Sequence, residues 1–301
     1  YTNETPTGWW DPTIKLAYSK TDLIIDETDQ YIAGTTSSLN GKIENRFALE
    51  QGSITAGVDF YSDKASLDYR YLSDSAFDEN GEEEALNIGI YAQARLDLNQ
   101  RTRVSYGVRG DFQEFTGADG NTYSDKGLSG NLSAEFDVNE QLTLSAGYSQ
   151  VWGGTFLAEN FIINPAWTYP AEGIEAVQSK NLFFAANADL GAWDLSGKIF
   201  RTDIDNARAP SYGGGSDLTA SLESRGFELG LGYAWENGFA RIGYANIDSD
   251  VNGRAADSYT GNYLTTPLGE VITLEVAHRI PQHGLTIGAD AQLVLSETDT
   301  Y

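Results

Sequence analysis

The stretch Glu223 to Asp250, ESRGFELGLGYAWENGFARIGYANIDSD, contains a pattern that repeats along the chain. Apolar side chains occupy every second position on both sides of the break Glu236-Asn237-Gly238. This alternation predicts two β-strands with one apolar face each, and the Asn-Gly break predicts a tight hairpin between them. The intervening positions hold Gly, Glu and Arg, which suit a wet lumen better than the outer face of a soluble protein. The stretch therefore indicates a membrane β-barrel.

The composition favours strands and excludes several classes of protein. The chain has 301 residues, with 32 Gly, 17 Tyr, 13 Phe and only 7 Pro, which suits strands and turns rather than helices. It has no Cys, so neither disulfides nor thiolate metal sites are available. It also has no Met, and residues 1–4 do not resemble the start of a signal peptide, so we expect a processed chain or a fragment.

Charge and hydropathy limit the partners. The net charge of −25 argues against nucleic acid, because phosphate contacts need a basic surface. The acidic residues concentrate in predicted loops, where they either form a solvated, self-repelling surface or bind divalent cations between loops or at lipid headgroups. No run reaches the roughly 18 to 20 apolar residues of a transmembrane helix, but barrel strands need only about 9 to 11 residues, half of them polar.

Along the whole chain, the strand and turn signals predict about thirteen strands. Short turns alternate strictly with long connections, the latter at about 21–33, 72–84, 116–125, 150–175, 207–217 and 251–269. Short turns on one rim and long loops on the other are typical of outer-membrane barrels. Aromatic residues near the strand ends suit an interfacial girdle, although any β-protein has strand aromatics. We therefore predict an all-β fold, an antiparallel transmembrane β-barrel. An odd number of strands suggests that some strands are missing.

Four segments, in this order and spacing, resemble the barrel of TonB-dependent outer-membrane receptors. They are Ser179-Lys180-Asn181-Leu182, Ile199 to Asn206, Ser224-Arg225-Gly226-Phe227-Glu228, and Thr266-Pro267-Leu268 before Ile272-Thr273-Leu274. A weaker match is Ala56 to Tyr61. The resemblance implies a 22-stranded barrel with an N-terminal plug, of which residues 1–301 would be a barrel segment. Neither a plug domain nor the final strands are expected in this chain.

The resemblance also implies a function. Such receptors import an iron-bearing ligand, here a siderophore, haem or a haem protein, with energy delivered by the TonB complex through the plug. Their location is the bacterial outer membrane, in contact with its lipid, and no catalytic residue, metal site or cofactor is expected. The most similar branch is that of haem receptors. Its loop motifs are replaced here by Val151 to Leu157 and by Asn164-Pro165-Ala166-Trp167, without a His, which argues against haem ligation there.

Three other functional classes compete with this interpretation. A passive outer-membrane porin would have an open lumen and no plug. A barrel-embedded hydrolase would need a His beside a nucleophile, but His278 and His283 both lie at one short turn, on the rim opposite the long loops. A soluble β-protein would have no reason to keep short turns and long loops on opposite rims.

Aromatic residues of the long loops are the candidate ligand-binding residues. Clustered aromatics in a long loop suggest ligand capture, although they could equally fold the loop onto itself or onto a plug. The candidates in the 150–175 connection are Trp152, Phe156, Trp167 and Tyr169, beside Phe161. Those in the two later loops are Tyr212, Tyr259 and Tyr263.

Charged residues raise two further possibilities. Asp248-Ser249-Asp250-Val251-Asn252-Gly253 matches the opening of an EF-hand loop, but Tyr259 stands where a bidentate Glu is needed, so a hairpin loop is the competing interpretation. The alternation places several charged side chains toward the lumen. They would contact a plug, set ion preference, or form cross-strand ion pairs: Arg103, Arg109, Asp111, Glu228, Arg241, Glu275 and Asp290.

Overall fold

A computed structural model describes residues 2–158, 162–209, 218–256 and 269–295. These residues form one antiparallel sheet of fourteen strands. The strands are β1 (Pro12–Asp26), β2 (Gln30–Leu49), β3 (Gly52–Tyr71), β4 (Glu79–Asn99), β5 (Thr102–Thr116), β6 (Thr122–Asp137), β7 (Leu142–Gly154), β8 (Val177–Asp189), β9 (Trp193–Arg208), β10 (Thr219–Trp235), β11 (Gly238–Val251), β12 (Arg254–Ala255), β13 (Gly269–Ile280) and β14 (Leu285–Val294). Two single-turn 3₁₀ helices, Ser75–Phe77 and Pro281–His283, lie in connections.

Apart from β12, each strand pairs with the next strand in sequence, from β1 to β14. The two-residue strand β12 pairs only with β11, which continues the sheet through β13. In the β10–β11 hairpin, Leu229 on β10 lies opposite Tyr244 on β11, and on its other side it lies opposite Gly197 on β9. Such a meander satisfies backbone hydrogen bonds between neighbours and is the pattern of up-and-down membrane barrels.

The two faces of the sheet differ as the alternation predicts. Leu229, Leu231 and Ile242 are exposed on one face, together with most of the other large apolar strand residues. The other face, which we call the lumenal face, carries the charged pairs and contacts the loop between β7 and β8. Apolar side chains exposed throughout one face would be costly in water and are favourable in hydrocarbon.

The later connections keep the predicted asymmetry, but the first is shorter than the short turn at 138–141, and the predicted bounds of the first three long connections are wrong, the third being 117–121 instead of 116–125. Strand β1 continues to Asp26 and β2 starts at Gln30, so only residues 27–29 connect them instead of 21–33. Residues 72–78 likewise replace the predicted 72–84. The ladder continues past the apolar band because backbone pairing does not require an apolar face, so these residues pair without showing hydrophobic alternation. The Thr35 hydroxyl, for example, donates to Asp22 over 2.7 Å across these extensions.

The main hydrophobic cluster lies on the lumenal face, at the loop end of the sheet. Ala65 and Leu67 on β3 pack there against Ile163 and Trp167 from the β7–β8 loop, with Leu218 from the next loop. No helix in the described part of the chain is long and apolar enough to cross a bilayer.

Candidate ligand site on the lumenal face

The described residues of the β7–β8 loop, 155–158 and 162–176, fold inward over the lumenal face. Trp167 is only 2% exposed to solvent, and Ile163 is 1% exposed. Gly81 on β4 permits this approach, because a Cβ there would overlap the Ile163 side chain. Buried apolar area of this size stabilises the folded loop by roughly 1.5 to 3 kcal/mol for each large side chain. The loop therefore covers part of the lumen.

A buried ion pair holds the loop against the wall. The guanidinium of Arg208, at the end of β9, donates to both Glu83 oxygens on β4, over 2.6 and 2.5 Å. Arg208 is 4% exposed and Glu83 is 0% exposed. The Glu83 carboxylate also accepts from the Ala158 N–H at 2.9 Å and from the Tyr169 hydroxyl at 2.8 Å. We call Glu83, Arg208 and Tyr169 the loop anchor.

Further contacts of the loop anchor come from the loop and from Phe115 on β5. Arg208 donates to the Phe156 carbonyl over 2.7 Å, and its guanidinium lies 5.5 Å from the ring centroids of both Phe115 and Trp167. Burial, and then the nearby Glu83 charge, raise the pKa of the Tyr169 hydroxyl. Tyr169 therefore stays neutral and donates to Glu83. A buried charge pair needs additional hydrogen bonds of this kind to offset its desolvation.

A second charged cluster lies on the same face, nearer the turns. Arg109 on β5 donates to both oxygens of Asp59 on β3 over 2.7 Å, and also to Asp111 on its own strand. Asn87 on β4 donates to Asp111 over 2.9 Å. The Arg109 guanidinium also lies 5.7 Å from the ring centroid of Tyr91. This network ties β3, β4 and β5 together on the lumenal side.

A cavity of about 540 Å³ separates this cluster from the loop. Its wall comes from β3 to β7, and its roof comes from residues 151–157. Polar side chains such as Tyr61, Asp63 and Asn87 share it with the rings of Trp152 and Phe156. A concave space with aromatic surfaces and a few polar groups is the usual form of a small-molecule site.

The structure separates the predicted aromatic residues into two groups. Trp152 and Phe156 line the cavity, and the Trp152 ring packs over Gly127 on β6, where any Cβ would overlap it. Trp167 and Tyr169 instead hold the loop down. Phe161, Tyr212, Tyr259 and Tyr263 lie outside the described residues. The binding role of all these residues stays a prediction.

The lumenal charges named from the sequence form ion pairs where the structure describes partners. Arg103 pairs with Glu135 at 2.8 Å, Lys198 with Glu228 at 3.3 Å, and Arg241 with Glu275 at 3.4 Å. Asp290 lies opposite Glu275 on β14. Cross-strand pairing therefore accounts for most of these charges.

The EF-hand-like segment is the end of strand β11 followed by a two-residue turn at Asn252 and Gly253. Asn252 and Gly253 have positive φ angles of 52° and 73°, and Asn252 Oδ1 accepts the Ser221 N–H over 2.9 Å. Among the described residues there is no group of three or more His, Asp or Glu side chains placed to hold a metal ion. His278 accepts from the Trp235 indole over 3.0 Å, and His283 ends the 3₁₀ helix of the following turn.

Sequence reasoning missed Glu83, Arg208, Asn87 and Asp63. Glu83 stands in the run Glu82-Glu83-Glu84, which resembles a solvated acidic loop. The alternation of β4 continues through that run and places Glu83 on the same face as Asn87, so extending the strand would have identified it. No sequence signal connects Glu83 to Arg208, which lies 125 residues further along the chain.

Comparison with known proteins agrees with the geometry. The family model described as "TonB dependent receptor-like, beta-barrel" matches residues 1–293. "Heme transporter BhuA" of Brucella ovis is 26% identical over 300 residues, covering 96% of this chain and 44% of BhuA. The FrpB iron transporter of Neisseria meningitidis (F3-3 variant) superposes with a TM-score of 0.71 at 17% identity, covering 94% of this chain and 47% of FrpB. The ferripyoverdine receptor of Pseudomonas aeruginosa superposes with a TM-score of 0.70 at 12% identity, covering 94% of this chain and 43% of the receptor.

These matches confirm the predicted fold and the family resemblance. The chain spans less than half the length of these relatives. The two solved structures share the barrel fold at low identity, so they support no residue-level correspondence.

Proposed function

This chain belongs to the TonB dependent receptor-like β-barrel family, and from that premise we propose that it imports an iron-bearing ligand. Members of the family are outer-membrane β-barrels, so the chain lies in the bacterial outer membrane. The ligand is a siderophore, haem or a haem protein. Transport proceeds without catalysis and draws energy from the TonB complex through a plug domain.

The observation that carries this proposal is the inward-folded loop above a cavity. An open porin would need a clear lumen, whereas here the loop anchor holds the described part of the β7–β8 loop across the lumenal face. Trp152 and Phe156 supply flat apolar surface to the cavity below the loop. Rings presented beside hydrogen-bonding groups suit a large, partly aromatic iron ligand. The named substrates of the relatives, haem for BhuA and iron for FrpB, support the same class.

Uptake of radiolabelled iron tests the proposal. The cells lack other routes of iron uptake and produce this protein. They receive haem or a ferric siderophore as the only iron source. We expect uptake that stops when the proton gradient of the inner membrane is collapsed, because transport draws on energy from that membrane. Uptake that continues unchanged after collapse would instead identify a passive channel.

A pair of matched variants tests the role of the cavity. The double substitution Trp152→Ala with Phe156→Ala removes both lining rings, and we expect it to reduce uptake at least tenfold. The control, Trp193→Ala with Phe136→Ala, removes a Trp and a Phe that are exposed elsewhere on the sheet. Equal uptake by the two folded variants would contradict the placement of the ligand in this cavity.

A further inference from the structure

The cavity under the β7–β8 loop contains buried hydrogen-bond acceptors that lack a partner. Asn87 on β4 is 3% exposed, and its Oδ1 accepts no hydrogen bond from any described residue. One carboxylate oxygen of Asp63 on β3, Oδ1, is likewise buried and without a partner in the described chain. Both residues line the cavity. Buried polar atoms in folded proteins are nearly always hydrogen-bonded, so two such acceptors at one cavity indicate a ligand.

The orientation of Asn87 follows from its neighbour. The amide nitrogen of Asn87 donates to Asp111 over 2.9 Å. The reversed amide would place Oδ1 against the Asp111 carboxylate, where two acceptors would repel each other. Asn87 Oδ1 is therefore the amide atom that does not bond Asp111, and it remains available as an acceptor.

The two acceptors lie close enough to share one group. Asn87 is directly opposite Tyr61, and Asp63 is two residues further along β3, opposite Ala85. Asn87 and Asp63 are therefore diagonal neighbours on the same face, with Cα atoms about 7 to 8 Å apart. A small group with two or more N–H donors can reach both oxygens across this distance, since each N–H···O bond spans about 2.9 Å.

The charge of the cavity favours a cation. Three carboxylates line it, those of Asp59, Asp63 and Asp111, and Arg109 is the one Lys or Arg among the described lining residues. All three guanidinium nitrogens of Arg109 already donate to Asp59 and Asp111. No Lys or Arg of the described ranges forms an ion pair with Asp63. A ligand carboxylate or phosphate placed between Asn87 and Asp63 would face an amide oxygen and a carboxylate, which are both acceptors, whereas a protonated nitrogen could donate to both.

We infer that this cavity binds a protonated amine, amidine or guanidine group of the imported ligand, between Asn87 and Asp63 and below the rings of Trp152 and Phe156. This inference deepens the proposed function and rests on it, because among the proposed ligands it selects a siderophore or a haem protein that carries such a group; haem itself carries none. Aromatic faces near the site add cation–π attraction. Anionic parts of the ligand lie elsewhere in the lumen.

Three ring compounds of similar size test the inference. Benzamidine is a cationic donor, benzamide is its neutral analogue, and benzoate is its anionic analogue. Binding to protein purified from outer membranes in detergent is measured by isothermal titration calorimetry at pH 7. We expect benzamidine to bind roughly 10- to 100-fold more tightly than benzamide, because hydrogen bonds to charged groups contribute about 1.5 to 3 kcal/mol. Benzoate should not bind measurably.

Substitutions test whether benzamidine binds between Asn87 and Asp63. Asn87→Leu and Asp63→Asn should each weaken benzamidine binding about tenfold or more. Glu84→Gln is the matched control, because Glu84 faces away from the lumen on the same strand and bonds Lys64. Folding is checked by resistance to unfolding in detergent, and Asp63→Asn, which keeps the side-chain shape and removes only the charge, is the deciding variant if Asn87→Leu does not fold. Equal affinity for the three compounds, no binding of any of them, or binding unaffected by the lumenal substitutions would overturn the inference.

This titration requires no transport, so the two proposals can fail separately. Selective benzamidine binding without iron uptake would leave the cation site in place and remove the transport function. Energy-dependent iron uptake without benzamidine binding would leave the transporter in place and remove the cation site.

Discussion

Glu83 on β4 and Arg208 on β9 form a direct ion pair, although four strands of the sheet separate them. The pair is possible because the sheet curves, which brings the loop ends of β4 and β9 near enough for Arg208 Nη2 to donate to Glu83 Oε1 over 2.5 Å. Both groups are buried, and each also bonds the β7–β8 loop. The pair thus connects two sides of the lumenal face with the loop that covers it.

Breaking this pair should release the loop without unfolding the sheet. Glu83→Gln leaves the Arg208 charge buried without a carboxylate, a change that costs about 3 to 5 kcal/mol in comparable buried pairs. We expect hydrogen exchange of the amides in residues 155–176 to accelerate strongly while the strand amides remain protected. Glu84→Gln on the opposite face is the control. Unchanged exchange of the loop amides in Glu83→Gln would show that the pair does not hold the loop.

The Tyr169 hydroxyl should resist ionisation. Its pKa is raised by burial and by Glu83, so the folded protein keeps it neutral at the pH of about 10 where an exposed Tyr ionises. The stability that this hydroxyl gives the loop is complete below pH about 10 and is lost as the pH rises toward the folded pKa, because the released loop would lose the proton first.

Ultraviolet absorbance of tyrosinate measures this difference. The titrations of the native protein and of Tyr169→Phe should coincide near pH 10, since Tyr169 does not ionise there, and should separate only at higher pH. One additional tyrosinate in the native protein near pH 10 would contradict the buried position of this hydroxyl.

Gly127 should be required for the position of Trp152. A Cβ at Gly127 would overlap the Trp152 ring, so Gly127→Ala forces the ring away and costs about 1 to 3 kcal/mol of overpacking energy. The matched substitution Gly130→Ala, on the same strand, meets nothing closer than the Gly107 carbonyl at 3.6 Å. Only Gly127→Ala should lower the free energy of unfolding in lipid vesicles and shift Trp fluorescence. Equal effects of the two substitutions would contradict the packing of Trp152 on β6.

Adjacent residues on β13 should tolerate charge differently. Leu274 lies opposite Ile242 in the apolar band, and Thr273 lies on the lumenal face opposite Gly243. Leu274→Arg should cost about 2 to 4 kcal/mol near the bilayer midplane, whereas Thr273→Arg should cost far less. Unfolding titrations in lipid vesicles give both values. A larger cost for Thr273→Arg would reverse the assigned faces.

The sequence alone was sufficient to predict which side chains of most strands lie on the lumenal face. Period-2 alternation predicted the lumenal position of Arg109, Glu228 and Arg241, because the side-chain direction in a strand alternates strictly. It did not predict the extension of β1 and β2 beyond the apolar band, where both faces meet water and apolar alternation disappears. Strand ends are therefore the less predictable part of such a barrel.

The site was less predictable than the wall. The aromatic residues of the β7–β8 loop were identified, but their division into lining and anchoring residues depends on how the loop folds. The partners of Arg208 and the open acceptors of Asn87 and Asp63 depend on sheet curvature and on cross-strand register. The alternation within one strand predicts neither the curvature of the sheet nor the register between strands.

A single-cysteine scan along β10 tests most directly that one face of the sheet meets hydrocarbon and the other meets water. The chain has no native Cys, so each substitution from Gly226 to Tyr233 introduces one thiol. In protein embedded in lipid vesicles, thiols at 227, 229, 231 and 233 should resist a water-soluble maleimide and, once labelled with a fluorophore, be quenched by lipid-borne nitroxides. Thiols at 226, 228, 230 and 232 should react with the maleimide and escape quenching. Reactivity that does not alternate with position would contradict the transmembrane barrel and the transport function derived from it.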